Sequence, residues 1–252
     1  ADTVDYGSHF KTPADVKRAL AGYYGLVSSL DENIGKVLRA LHDCGLETIT
    51  RVMYTSDHGD NLGARGLWGK STLYEESAGV PLILAGPDVP VGHVIDTPVS
   101  LIDCAPTIIE GVGEARPPKR DMPGASLFDI AAGDKPTRPV ISEYHAIGSV
   151  AGAFMLRFDR WKYCHFVSYP AQLFDLRTDP EELQDLAGDP RYADTLAEGE
   201  RRLRAVLDPD AVDRRAKQRQ GEILAAFGGR DAALARGDLG FTPAPGDAPA
   251  ID

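Results

Sequence analysis

The sequence is short of cysteine, of long apolar runs and of positive charge. It has three cysteines, Cys44, Cys104 and Cys164, spaced 60 residues apart with no C-x-x-C between them. An odd number at that spacing argues against a disulfide scaffold and against a zinc knuckle. Each cysteine stands among apolar neighbours and reads as a buried structural thiol. No run of 18 or more apolar residues occurs, so no membrane span is expected. The net charge of -11 repels phosphate backbones and anionic lipid, which argues against nucleic acid or a membrane surface as partner. No secretory leader pattern follows Ala1, an absence that bears on these residues alone. No internal repeat is found.

What is present is the make-up of a soluble globular protein, 43% hydrophobic and 26% charged over 252 residues. That length suits one large domain or two small ones. Thr12-Pro13-Ala14-Asp15 is a helix start, with Thr12 as N-cap and Pro13 in the first turn. Apolar residues from Val16 to Leu41 then recur at helical spacing up to a stop at Gly45, with breaks expected near Gly22 or Gly25. Ile49–Thr55 and Val80–Leu84 read as strands, residues 61–79 as a Gly-rich loop, Asp96–Val99 as extended and Ser100–Val112 as a helix. Helices alternating with short buried strands predict an α/β fold over residues 1–115.

The pattern changes after residue 115. Arg116-Pro117-Pro118 and Met122-Pro123-Gly124 are loop. Val140–His145, Ala153–Leu156, Lys162–Phe166 and Gln172–Asp175 read as four successive strands, with a helix over Asp189–Leu207 to cover one face. Residues 116–207 are therefore expected to form a small α+β subdomain with a short antiparallel sheet. Residues 208–252 are expected to be a charged helix, over 210–236, and a Pro/Ala-rich arm.

The chemistry gathers at Ser56-Asp57-His58-Gly59-Asp60, where the first strand ends. Open α/β sheets bind ligands outside such strand ends. Asp57 and His58 can both ligate one divalent ion, and Asp60 is near enough to accept a hydrogen bond from the histidine behind the metal. Taken alone, the tetrapeptide also describes an ordinary turn with a capping aspartate. Lys70, in Gly66-Leu67-Trp68-Gly69-Lys70, lies twelve residues past His58 and can reach back to stabilise an anionic oxygen. Its plain alternative is a solvated surface lysine. His93, His145 and His165 read as structural.

Several longer words extend this reading. They are Tyr23-Tyr24, Leu30-Asp31-Glu32-Asn33-Ile34-Gly35, Tyr54-Thr55-Ser56-Asp57-His58-Gly59-Asp60-Asn61-Leu62-Gly63, the lysine loop, and Val80-Pro81-Leu82-Ile83. Val99-Ser100-Leu101-Ile102-Asp103, Trp161-Lys162-Tyr163 and Leu173-Phe174-Asp175-Leu176 with Asp179-Pro180-Glu181-Glu182 follow. In this order, over residues 20 to about 190, they resemble the C-terminal half of the sulfatase family in the alkaline-phosphatase-like superfamily, most of all its choline-sulfatase and phosphonate monoester hydrolase types. The resemblance implies the C-terminal part of a mixed sheet sandwiched by helices. It implies a divalent metal held by Asp57 and His58, and Lys70 in contact with the oxygens of a sulfate, phosphate or phosphonate ester. Many members have asparagine at the place of His58 and bind calcium through oxygens. An imidazole there favours manganese, so Ca2+ and Mn2+ both stay open.

The family's nucleophile is a cysteine in C-x-P-x-R, oxidised to formylglycine. Cys104-Ala105-Pro106-Thr107-Ile108 begins like it but has Ile108 in place of arginine, and falls in the family's Leu-x-Pro-Thr helix word instead. The resemblance places the nucleophile and the remaining metal ligands in a preceding N-terminal half. These residues alone are then expected to be inactive and to need that half as partner. A non-catalytic subunit or pseudoenzyme module, with the charged helix serving homo-oligomer contacts, is the alternative.

Overall fold

In this computed structural model the described residues are 12–113, 122–133, 138–146 and 149–235. The Arg116-Pro117-Pro118 loop and the C-terminal arm expected from the sequence lie outside them. The chain forms two compact units, residues Ala1–Pro209 and Asp210–Asp252.

The first unit opens with α1, Pro13–Asp43. Thr12 caps it as the sequence predicts. Its Oγ1 accepts from Asp15 N at 3.2 Å, and Asp15 Oδ2 accepts from Thr12 N at 3.0 Å, so two backbone donors are satisfied reciprocally. The helix runs unbroken through Gly22 and Gly25. None of its residues is buried, and Leu26, Leu30 and Val37 stand exposed. Cys44, read as buried, is exposed: it is the C-cap residue, where the chain turns out of the helix.

Strand β1, Val52–Thr55, pairs antiparallel with β2, Leu82–Ala85, from Val52 opposite Ala85 to Thr55 opposite Leu82. The segment between them is less irregular than expected, because it contains the short helix α2, Glu75–Ala78. Residues 96–99 form no strand. A single 3-10 turn, Leu101–Asp103, leads into α3, Cys104–Gly111, and α4 follows at Leu127–Ala131. Asp103, wholly buried, ties these pieces together: its carboxylate accepts from Ser100 N and Ala125 N at 2.8 Å each and pairs with Arg138.

The four expected strands form a meander, β3 Val140–Tyr144, β4 Ala153–Phe158, β5 Trp161–Phe166 and β6 Tyr169–Asp175, antiparallel in sequence order. Alternation gives the sheet two different faces. Phe154, Leu156, Tyr163 and Leu173 share one face, which meets α5, Ala193–Val206, through buried Leu203 and Gly199. A Cβ at Gly199 would stand 2.6 Å from the Tyr163 ring, so only glycine lets the helix approach this closely. The opposite face carries Ala153, Met155 and Cys164, and on it packs Leu73 from the segment between β1 and β2. The Cys164 thiol is pushed up to about 12, by burial first, which makes it the inert thiol expected.

The second unit carries α6, Pro209–Ala226, from Asp210 onward, and α7, Arg230–Ala235. The single helix expected over 210–236 is interrupted at Gly228 and Gly229, whose φ angles of 105° and 89° are left-handed.

Candidate active site

Strand β1 ends at Thr55, and the chain turns sharply from Ser56. Ser56 Oγ donates to the His58 carbonyl at 2.8 Å, and Asp57 Oδ1 accepts from His58 N at 3.0 Å. These local bonds hold Asp57 and His58 outward, Asp57 almost fully exposed and His58 half-buried. His58 Nδ1 lies 2.8 Å from the Gly59 carbonyl. A carbonyl only accepts, so Nδ1 carries the proton and Nε2 presents its lone pair. Toward that lone pair come Lys70 Nζ, at 2.8 Å, and Asp57 Oδ2, at 3.4 Å. The three residues singled out from the sequence thus meet at one nitrogen atom. They open on a crevice of about 490 Å³ whose walls include Ser100, Tyr144 and Arg157.

Asp60 does something other than expected. Its Oδ1 accepts from Leu62 N at 2.8 Å and Gly69 N at 3.2 Å, so it staples the lysine loop, and the Gly59 carbonyl takes the role at His58. Asp60 points along its own loop because its backbone follows the turn made by Gly59. A Cβ at Gly59 would stand 2.0 Å from the Glu76 carbonyl oxygen, an approach only glycine allows. Buried Asn61 completes the staple: its N and Nδ2 both donate to the Gly69 carbonyl, at 2.8 and 2.6 Å, and its Oδ1 accepts from Thr72. The loop is also strained. Leu62 and Arg65 have φ of 45° and 54°, where non-glycine residues rarely sit.

The loop is anchored from below by a charge network to which the sequence assigned no task. Lys162 of β5 is wholly buried and lies 2.8 Å from Glu182 Oε1 and 3.0 Å from Glu75 Oε1. Glu182 Oε2 accepts from Glu75 N at 2.6 Å. Burial pushes the Glu182 carboxyl up despite the adjacent Lys162 ammonium. Nearby, Arg65 stacks over the Tyr74 ring at 4.0 Å and pairs with Glu76 at 2.9 Å. The signal available beforehand was a lysine inside an apolar strand, which calls for a buried counter-charge.

Of the other histidines, His145 packs edge-on against Phe154, and His165 Nδ1 lies 3.1 Å from Glu200. His93 is exposed, just past the turn at Val91-Gly92. Among the described residues no group of three or more His, Cys, Asp and Glu side chains converges to hold a metal.

Sequence comparison identifies the family. Residues 63–208 match the family model described as N-sulphoglucosamine sulphohydrolase, C-terminal, and residues 3–113 match the one described as Sulfatase. The chain belongs to the sulfatase family. Among curated members, choline-sulfatase of Rhizobium meliloti (strain 1021) is 39% identical over 191 residues, 74% of this chain and 36% of that protein. The structure of BT4656 in complex with its substrate D-glucosamine-2-N,6-O-disulfate superposes with a TM-score of 0.67 at 29% identity, covering 73% of this chain and 40% of that one. Phosphonate monoester hydrolase SpPMH from Silicibacter pomeroyi superposes with a TM-score of 0.69 at 30% identity, covering 80% of this chain and 43% of that one. The chain spans less than half the length of each of these sulfatase-family relatives. Its fold is the alkaline-phosphatase-like α/β kind that the resemblance implied.

Proposed function

We propose that these residues form part of the active site of a metal-dependent sulfuric ester hydrolase, with Asp57 and His58 as metal ligands and Lys70 as the contact to sulfate oxygens. The observation that carries this reading is the meeting of Asp57 Oδ2 and Lys70 Nζ at His58 Nε2 in one crevice. The donor set fits a divalent ion: a carboxylate oxygen and an imidazole lone pair 3.4 Å apart, the imidazole oriented by the Gly59 carbonyl. Two donors fill only part of a divalent coordination shell. The rest belong, on this proposal, to the preceding half of the catalytic domain. A bound ion would polarise the ester and activate the nucleophile.

The work of this chain's own residues follows from their placement. Gly59 holds the His58 tautomer. Lys70, on a loop stapled by Asp60 and Asn61, brings a fixed positive charge to the anionic oxygen of an ester. On this proposal Cys104 is not the nucleophile, because Ile108 stands where C-x-P-x-R has arginine; burial and the adjacent Asp103 charge also push its thiol up. Formylglycine is accordingly assigned to the preceding half, and these residues by themselves are proposed not to turn over.

A phosphonate or phosphate ester is the second reading, favoured by the superposition on phosphonate monoester hydrolase SpPMH. Sulfate monoesters and phosphate diesters each carry one negative charge, and Lys70 suits either.

Calorimetric titration with MnCl2 and with CaCl2 tests the metal site without requiring turnover. The expected result is one saturable site that Asp57→Ala and His58→Ala each weaken by at least ten-fold, on the order of one lost ligand. Undiminished metal binding in both variants would falsify the assignment.

A further inference from the structure

Beside the metal-site crevice lies a second cavity, of about 680 Å³, with the opposite electrostatic character to the chain as a whole. Five arginines line it: Arg138, Arg157, Arg160, Arg177 and Arg202. Only two carboxylates, Asp96 and Asp159, share that lining. The chain carries a net charge of -11, so this grouping runs against its average.

Three of the five arginines have partners that hold them in place. Arg138 pairs with buried Asp103. Arg160 lies 3.4 Å from Asp175 and stacks over the Trp161 ring at 4.5 Å. Arg202 pairs with Glu198 and lies over the Phe158 ring at 5.1 Å. Arg157 and Arg177 have no carboxylate partner among the described residues. Arg157 projects from β4, between Val140 of β3 and Lys162 of β5. Its Nε is buried and has no hydrogen-bond partner among the described residues. A buried donor left unpaired is costly, and converging guanidinium groups repel one another. Both penalties are relieved by one ligand that is anionic and rich in acceptors.

We propose that this cavity binds a tetrahedral oxyanion group, sulfate or phosphate, with Arg157 and Arg177 as its direct contacts. Guanidinium forks match the oxygen spacing of such groups, and Arg138, Arg160 and Arg202 add positive field. The oxyanion has two possible sources. One is the free inorganic ion. The other is a second anionic group on an ester whose reacting group sits in the neighbouring crevice, since Asp96, Pro98, Val140 and Arg157 line both cavities. Only the second source rests on the proposed function.

The test is calorimetric titration of the whole chain with inorganic phosphate at low ionic strength. Saturable binding is expected, weakened about ten-fold or more by Arg157→Ala and by Arg177→Ala, the loss of one charge-assisted contact. Arg177 is exposed, so its variant is expected to keep the native circular dichroism spectrum. Arg157→Lys should restore only part of the affinity, because charge returns without the fork. The proposal is overturned by absence of saturable binding, or by binding that both alanine variants leave unchanged. Binding lost in Lys70→Ala but kept in Arg177→Ala also overturns it, placing the ion in the crevice and leaving the proposed function standing. A monosaccharide with two sulfate groups then separates the sources. Tighter binding than phosphate, with the gain abolished by Lys70→Ala, identifies the linked group; affinity equal to that of phosphate identifies the free ion.

Discussion

Lys70 Nζ stands 2.8 Å from His58 Nε2, the imidazole nitrogen whose lone pair a metal would use. The ammonium therefore competes with a cation for that nitrogen and also repels it. Two unit charges 4 Å apart in water interact by about 1 kcal/mol, and a divalent ion feels more. Replacing Lys70 by Met should tighten Mn2+ binding on the order of five-fold, while His58→Ala weakens it. Titration of the two variants side by side reads the opposite signs. A loss of affinity in Lys70→Met would mean that the lysine supports the metal site and does not compete with it.

The buried Lys162 sets the stability of the lysine loop. Removing its charge as Lys162→Met leaves the buried Glu182 carboxylate without its partner, a change that costs about 3–5 kcal/mol. Adding Glu182→Gln should recover a substantial part, because the unpaired charge is removed. Urea unfolding of the single and double variants measures this. Equal destabilisation in both would show that packing, not charge, is what Lys162 contributes.

Gly59 permits the close approach of the Glu76 carbonyl. Gly59→Ala forces the backbone apart and is expected to cost about 1–3 kcal/mol, as overpacking does. The displacement should also pull the Gly59 carbonyl from His58 Nδ1 and part His58 Nε2 from Asp57 Oδ2, so Mn2+ affinity falls in step with the melting temperature. Wild-type affinity in this variant would separate the turn from the site.

Glu200 gives the fold an acid-sensitive clasp. Burial pushes its carboxyl up, but hydrogen bonds from Tyr163 and Arg204 and the charges of His165 and Arg204 outweigh it, so the group titrates below its ordinary value of 4.5. The folded state then binds fewer protons than the unfolded state in that range. The stabilisation is complete above pH 4.5 and is lost as the pH falls through the lower, folded value. Glu200→Gln should therefore flatten the acid limb of the stability curve and leave its slope at neutral pH unchanged. Parallel acid limbs for the two proteins would remove Glu200 from the account.

Much of this was legible in the residue order, for local reasons. Thr12 and Asp15 cap a helix because the bonds they make span three residues. The four strands from Val140 to Asp175 follow from alternation, and their meander from short connections. Asp57, His58 and Lys70 were picked out because the turn after β1 and the loop behind it are written in neighbouring residues. Asp60 was misread for the same reason: several local acceptors were within reach of His58, and nothing in the sequence ranks them. The backbone carbonyl of Gly59 won because the glycine turn aims it at Nδ1.

The sequence by itself determined the family, the order of the four meander strands and the residues that meet at His58 Nε2, since each rests on spacings of a few residues or on words in fixed order. Only the tertiary structure decided which distant charges meet. Lys162 reaches Glu75 across 87 positions, Glu182 reaches the Glu75 amide across 107, and five arginines from separate elements line one cavity. Such pairings depend on how one sheet face packs against one loop. Burial then fixes what the sequence leaves open, because a charge removed from water must find its partner wherever the fold has brought one.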